Sequence, residues 1–437
     1  MGHFVPHTDA EVADMLGFMG LSSVDELFSA IPEALRLAGG LEVAPGLSEP
    51  DVMAEMGRLA RDNRACGPDL VCFAGAGAYD HEVPAVTRRL TFRSEFVTAY
   101  TPYQPEVAQG VLQALFEYQT LITRLAGVEI ANASLYDGAT ACVEAVNLAV
   151  ASSGREKVWV SQGVHPTWRE VIRTFAAGTG HDIVEIPLVD GRTAWPADGE
   201  PGAVLVQQPN FLGCLEDLEA AKRTGALLLV AADPVSAGLL KSPGSQGADV
   251  VVGEGQPFGT PLSLGGPYLG LFACRQEHVR RLPGRLVGET RDVEDRRAYV
   301  TTLRTREQDI RREKASSNVC TNQTLIAVCC AIQLSWLGTA GLRDMALRCA
   351  RGTRYTREAL LAIDGVEPLT EAPVLREFAV RTPCRGDVVV ERMADEGFLA
   401  GVALDDDYGG GLLVAVTERR TRAEIDAYVA AFEKVVN

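Results

Sequence analysis

Lysine is nearly missing from this chain, with five residues in 437, at positions 157, 222, 241, 314 and 434. Basic charge as a whole is in deficit: 41 lysines and arginines face 58 acids, for a formal net charge of −17 and a pI near 4.9. Nucleic acid and anionic membrane surfaces both favour clustered positive charge, so neither is an expected partner. Ten cysteines occur without a Cys-x-x-Cys pair, and six scattered histidines form no Cys/His cluster. No protein-built metal site is expected, and the thiols read as small buried hydrophobes of a cytoplasmic protein. The start, "MGHFVPHTDAEVADML", lacks the basic and apolar blocks of a signal peptide, so none is expected. The longest apolar run, "LIAVCCAIQLSWLG" (325–338), falls short of a membrane span and carries Gln333 and Ser335; it reads as a buried helix.

What is present suffices for a large core: 47% of residues are hydrophobic and 23% charged. Residues 1–65 read as a helical N-terminal arm, in which "SSVDELFSAIP" offers Ser23 as an N-cap, acids in the first turn and a stop at Pro32. "VAQGVLQALFEYQTLITRLAG" (107–127) sets Val111, Leu112, Leu115, Phe116, Leu121, Ile122 and Leu125 on one helical stripe and ends at Gly127. Beyond it the texture changes. "EKVWVSQGVHP", "GAVLVQQPN", "GALLLVAADP" and "GADVVVGEG" are short apolar runs between helical or glycine-rich segments, the pattern of a mostly parallel sheet covered by helices. This large α/β domain is assigned to 66–328. "REFAVRTP", "DVVVERMADEGFLAGVAL" and "GGGLLVAVTERRTRAEIDAYVAAFEKVV" read as strand, helix, strand and terminal helix, within a smaller α+β domain over 329–437.

Ligands of such sheets sit beyond the C-terminal ends of the strands, which singles out His165, Gln208 to Asn210, Asp233 and the loop after Gly253. The element order matches a pyridoxal-phosphate (PLP) transferase of the aspartate-aminotransferase type, fold type I. Such a site needs phosphate donors at a helix N-terminus, a flat side chain over the ring, an aspartate at the pyridinium nitrogen and a Schiff-base lysine. "NASLYDGATACVEAV" offers Ser134, Gly138 and Thr140 at a helix mouth, either as a phosphate cradle or as a plain N-cap, with Asp137 adverse to an anion. His165 is either a ring-stacking residue or an ordinary histidine. Asp233, closing "LLLVAAD", either faces the ring nitrogen or caps the next turn. The fourth group is missing. The loop after "ADVVV" reads "GEGQPFGTP", with Gln256, Pro257 and Phe258 where the lysine belongs, and none of the five lysines falls there. Neither glutamine nor proline can form the Schiff base.

The stretches "SSVDELFSAIP", "YTPYQPEVAQGVLQALFEYQTLITRLAGVEIANASLYDGATA", "VQQPNFLGCLED", "ADPVSAGLL", "GTPLSLGGPYLGLFA", "LPGRLVGET" and "TREQDIRREKASSNVCTNQ" run in order from about residue 22 to 323. Together they resemble the glycine decarboxylase P-protein of the glycine cleavage system, in particular its subunit 1, the N-terminal half where that protein is split. Asp309 departs from the histidine usual in the family's "REQHIRREK". The resemblance implies that the PLP-bearing lysine belongs to subunit 2, in an α2β2 assembly, so that no covalent cofactor is expected on this chain. It implies that the pair decarboxylates glycine and passes the aminomethyl group to the lipoyl arm of the H-protein. Ser134, Gly138, Thr140, His165 and Asp233 would then be vestiges of a cofactor pocket. Residues 280–314 are dense in arginine, and Arg306, Arg311 and Arg312 either clamp the partner subunit or belong to a solvated helix face. Tyr100, Tyr103 and Gln104 of "YTPYQPE" either line a substrate channel or pack at the interface. Two rival readings stay open: a self-sufficient PLP enzyme of the aminotransferase or desulfurase type, and a non-enzymatic scaffold for the lipoyl carrier.

Overall fold

The computed structural model describes residues 6–37, 41–67, 69–97 and 102–437. The chain divides into two compact units, Met1–Arg64 and Ala65–Asn437. In the first, α1 (Asp9–Phe18) starts from a capping box in which the Thr8 hydroxyl accepts from Glu11 N and the Glu11 carboxylate accepts from Thr8 N. A second helix, α2 (Glu49–Arg61), starts from Ser48 with Pro50 in its first turn. The helix expected after Ser23 is instead a 3-10 turn, Val24–Phe28, and Ser23 makes no cap bond. Glu26 bonds back to Ser22, and Pro32 removes a backbone donor before a second turn can form. Leu16 is the one buried residue among the described residues of this unit.

The second unit is built on seven strands: β1 (Ile130–Ala131), β2 (Lys157–Ser161), β3 (Asp182–Ile186), β4 (Ala203–Gln208), β5 (Leu227–Ala232), β6 (Val250–Glu254) and β7 (Gly270–Cys274). Their order is β1-β7-β6-β5-β4-β2-β3. Strands β2 to β6 pair in parallel, and β7 lies antiparallel to both β6 and β1. Helices α3 (Gln109–Ala126), α4 (Gly138–Ser153), α5 (Pro166–Thr179) and α6 (Thr324–Leu360) cover the two faces. Period-two alternation decides which residue meets which layer. Val204, Val206, Leu228 and Val230 pack with Leu112, Leu115 and Ile122 of α3. Their neighbours Ala203, Leu205, Leu229 and Ala231 pack with Ala141, Cys142 and Ala145 of α4. As expected, α3 ends at Gly127, which takes the left-handed conformation at φ +73°.

The apolar run after residue 324 opens α6, a 37-residue helix interrupted at Gly338. By length and composition α6 could cross a membrane, yet Ala327, Cys330, Ala331, Leu334 and Met345 lie in the same core as α3. The last hundred residues follow the expected strand, helix, strand, helix sequence. An antiparallel sheet of β8 (Glu367–Pro368), β9 (Glu377–Arg381), β10 (Val402–Ala403) and β11 (Leu412–Ala415), ordered β8-β9-β11-β10, carries α7 (Gly386–Asp395) and α8 (Arg422–Val436). Phe378, Val414, Tyr428 and Phe432 form its core, closed by Phe73 stacked on Tyr428 at 3.9 Å between ring centroids.

Two local features position the site. Asn210, just past β4, ties a tight turn by accepting from Leu212 N and Cys214 N, both at 3.1 Å. Gly213 in that turn has φ +81°, and a Cβ there would lie 1.8 Å from the Glu377 carbonyl oxygen. Gly213→Ala is expected to destabilise the chain by about 2–4 kcal/mol, read as a lowered urea midpoint, because backbone cannot yield as a side chain can. The arginine-rich stretch is not a helix face. Leu286–Arg291 and Arg297–Thr302 pair as an antiparallel ribbon, and only short turns follow, at Arg304–Arg306, Gln308–Arg311 and Arg312–Lys314. The alternation in "LVGETR" and "RAYVTT" overrides the helical propensity of the arginines.

Candidate functional site

The C-terminal ends of β4, β5 and β6 converge on Asp233, Glu254 and Gln256, where a fold of this kind holds its ligand. Gln256 is fully buried. Its side-chain oxygen accepts from Tyr79 N at 3.0 Å, and its amide nitrogen donates to Tyr79 O at 3.0 Å and Thr260 O at 2.8 Å. Such a two-way clasp uses both ends of an amide, which a lysine cannot imitate. Phe258 is also fully buried, and Pro257 borders the cavity described below.

Asp233 caps the turn after β5 by accepting from Val235 N at 3.0 Å, and it also meets a cation. Arg376, 5% exposed, lies 2.9 Å from the Asp233 carboxylate and 3.5 Å above the Tyr79 ring. The guanidinium also touches His81, whose Nδ1 meets Glu418 at 2.6 Å; Glu418 accepts in turn from Glu82 N at 2.8 Å. Tyr79 donates its hydroxyl to Glu377 at 2.8 Å. His81, Cys349 and Glu418 converge closely enough to ligate a metal, but the Arg376 guanidinium already stands against that histidine.

The helix mouth at α4 is likewise in use. Asp137 accepts from Thr140 N at 2.7 Å, and Glu254 accepts from Gly138 N at 3.0 Å, from Gln256 N at 3.0 Å and from Leu269 N at 2.8 Å. Carboxylates thus take the amides that would hold a phosphate. Trp168 covers Gly138 so closely that a Cβ at 138 would sit 2.5 Å from the indole. Ser134 is buried at φ 113° and accepts from Asn322 Nδ2 at 3.2 Å. His165 is the N-cap of α5: Nδ1 accepts from Thr167 N at 3.2 Å, and Nε2 donates to Ala76 O at 2.8 Å. Burial holds its pKa below the usual value, matching the neutral tautomer those bonds require. Its ring lies against Trp168 and Phe211. The space bounded by Gly77, Tyr79, Trp168, Asp233, Glu254 and Arg376 amounts to about 40 Å³, room for roughly one water. The residues present do not fit a phosphorylated pyridine.

Four of the five lysines stand apart from this centre, and the fifth, Lys241, borders a neighbouring cavity. Lys157, Lys222 and Lys434 face Asp182, Asp249 and Glu396, Lys314 ends a 3-10 turn, and Lys241 is exposed at the rim of a small apolar cavity that Asp233 also borders. Among the remaining candidates, Tyr100 lies outside the described residues. Tyr103 donates to Cys320 O at 3.1 Å and lies under Arg285, whose guanidinium is 3.7 Å from the ring centroid. Gln104 is exposed. Arg306 donates to the carbonyls of Leu282 and Gly284, and Arg311 to Thr305 O at 3.2 Å, while Arg312 is exposed with φ 53°. Sequence reasoning missed Tyr79, Trp168, Glu254, Arg376 and Glu377. Glu254 alone carried a visible signal, as an acid ending an otherwise apolar strand.

Burial sets an unusual pH response. It raises Glu254 and Glu377 to about 7, against three backbone donors on the first and against Ala76 N, the Tyr79 hydroxyl and Arg376 on the second; it raises Glu144 to about 7 as well. All three therefore hold protons in the folded chain that the unfolded chain releases above pH 4.5. Their linkage makes stability fall as pH rises from about 4.5 to 7 and level off beyond. Burial opposes ionisation of Glu418, but its bonds to His81 and Glu82 N outweigh it and hold that carboxyl at about 2, so its contribution is lost as pH falls from 4.5 toward 2. Urea midpoints are expected to peak near pH 5, and Glu254→Gln to flatten the decline toward pH 7; a midpoint rising from pH 5 to 7 would refute this.

Mouse CSAD matches this fold with a TM-score of 0.68 at 17% identity, covering 95% of this chain and 92% of that one. An alanine–glyoxylate aminotransferase from Nostoc matches with 0.58 at 18%, covering 86% and 97%. The sheet and its helices are those of the PLP-dependent transferases of fold type I. Residues 2–432 fit the family described as "Glycine cleavage system P-protein", and the solved glycine decarboxylase (P-protein) of the glycine cleavage system, in inhibitor-bound form, matches with a TM-score of 0.93 at 46% identity over 99% of this chain and 100% of that one. The probable glycine dehydrogenase (decarboxylating) subunit 1 proteins of Desulforamulus reducens and Prosthecochloris aestuarii are 46% and 48% identical over 439 and 436 residues, 98% of each chain. The chain belongs to the glycine cleavage system P-protein family, as a subunit 1 of glycine dehydrogenase (decarboxylating), and so has a partner subunit.

Proposed function

We propose that this chain is the cofactor-free member of the pair. Subunit 2 holds PLP through a lysine, the α2β2 assembly decarboxylates glycine in the cytoplasm, and the aminomethyl group leaves on the lipoyl arm of the H-protein. The observation that carries this reading is Gln256. It belongs to the loop Gln256–Phe258, to which the resemblance assigns the lysine's place, and is clasped at both ends of its amide to Tyr79 and Thr260. The Arg376–Asp233 pair and the carboxylates at the mouth of α4 support it, since they use up the groups a cofactor would need. The chain's own contribution is structural. An arm to residue 65, a large domain to 328 and a small domain from 329 shape the pair, and Tyr103, Gln104, Arg306, Arg311 and Arg312 face the partner or the substrate channel.

Reconstitution tests the division of labour. Subunit 2 alone should exchange the carboxyl of glycine with bicarbonate far more slowly than the mixture of the two chains. Equal rates would exclude this chain from the working enzyme.

A further inference from the structure

Two cysteines share one tight turn at the start of the second unit. Ala65 O accepts from Asp69 N at 3.0 Å and from Leu70 N at 3.2 Å, the Asp69 carboxylate accepts from Ala65 N at 2.8 Å, and Cys66 bridges to Leu70. The chain leaves this turn as the short strand Val71–Cys72, which pairs in parallel with Phe398–Leu399. The turn brings the Cys66 thiol onto that of Cys72, and the two are hydrogen-bonded. Cys72 is 4% exposed, with its Sγ 3.8 Å from Ala74 O, while Cys66 is half-buried. Both belong to one compact unit, and the turn that joins them is local to it.

Cations stand beside the pair. Arg420, its side chain 5% exposed, meets Asp80 at 3.1 Å but leaves its own Nε–H without a partner, and Arg419 shares the same carboxylate. Donation from Cys72 draws the Cys66 thiol down to about 7; burial and Asp80 oppose this, and Arg420 and Arg419 assist it. The same bond, together with burial, pushes Cys72 well above the usual thiol range, so Cys72 keeps its proton. Burial pushes six other thiols up as well. A thiolate in contact with a protonated thiol is the arrangement of a nucleophile and its resolving partner.

We propose that Cys66 and Cys72 are a modification site, a dithiol that a hydroperoxide converts to an intrachain disulfide. The Cys66 thiolate attacks one peroxide oxygen, the O–O bond breaks, and hydroxide leaves a sulfenic acid on Cys66. The Cys72 sulfur then attacks the Cys66 sulfur; the S–O bond breaks, and the departing oxygen takes the Cys72 proton and leaves as water. The two electrons given up by the sulfurs are those that reduce the peroxide. Two molecules of a small thiol reverse the bond by attack on the Cys72 sulfur, because the acidic Cys66 thiol is the better leaving group. In a reducing cytoplasm such a bond is transient. It ties down the stem of the segment that carries Tyr79 and His81, since Val71–Cys72 runs directly into it.

Reduced full-length chain given stoichiometric hydrogen peroxide at pH 7 is expected to lose two hydrogens in mass, to yield a linked Cys66–Cys72 peptide, and to return to the dithiol with glutathione. Cys72→Ser should stop at a Cys66 sulfenic acid that dimedone traps. Iodoacetamide at the same pH should label Cys66 of the reduced wild type roughly fivefold faster than Cys66 of Cys72→Ala, which has lost the donor. A wild-type chain that keeps both thiols free under peroxide, or that links either one to a different cysteine, overturns the pair whether or not the variants fold. Equal labelling of Cys66 in wild type and in folded Cys72→Ala overturns it too.

Discussion

Arg376→Met is expected to lower the unfolding free energy by about 3–5 kcal/mol, the cost of breaking a buried ion pair from one side. Methionine matches the volume of the arginine stem but leaves the Asp233 carboxylate, 11% exposed, without its cation. It also strips the stacked charge from Tyr79 and the neighbour from His81. Arg376→Lys should recover only part of the loss, because an ammonium cannot both pair with Asp233 and lie flat over the ring. In a double-mutant cycle with Asp233→Asn, the combined loss should fall short of the sum by about 0.5–3 kcal/mol. A wild-type urea midpoint for Arg376→Met would show that the network contributes nothing to stability.

Restoring the missing residue should not restore the site. Gln256→Lys is expected to destabilise the chain by about 3 kcal/mol, since Tyr79 N loses its acceptor and a charge enters a position with no exposure. After incubation with PLP and borohydride, this variant should carry no pyridoxyl group at position 256. The obstacle is the filling of the pocket: Arg376 lies over Tyr79, Glu254 holds the Gly138 amide, and Trp168 covers the helix mouth. A stoichiometric adduct at residue 256 would mean that the pocket opens readily and that only the lysine had been lost.

Much of this could be read from the residues because local signals agreed. The short apolar runs "AVLVQQ" and "LLLVAA", set between helical segments, marked a mostly parallel sheet covered by helices. The stripe through Val111, Leu115 and Ile122 gave α3, and Gly127 its end. Asp233 could be placed at a strand terminus, and the absent lysine was a matter of counting. What stayed hidden is long-range. Arg376 meets Asp233 across 142 intervening positions, and nothing local to "REFAVRTP" distinguishes a buried cation from a surface one. Tyr79 lies in a loop with no periodicity to report its burial. The capping role of His165 has one local mark, Pro166 at the first helical position.

The division of labour itself is tested most directly by finding where the cofactor sits. The paired enzyme, loaded with PLP and reduced with borohydride, can be separated into its chains and read by mass spectrometry. The expected result is one pyridoxyl group on a lysine of subunit 2 and none on this chain. A pyridoxyl group on any of Lys157, Lys222, Lys241, Lys314 or Lys434 would contradict the account.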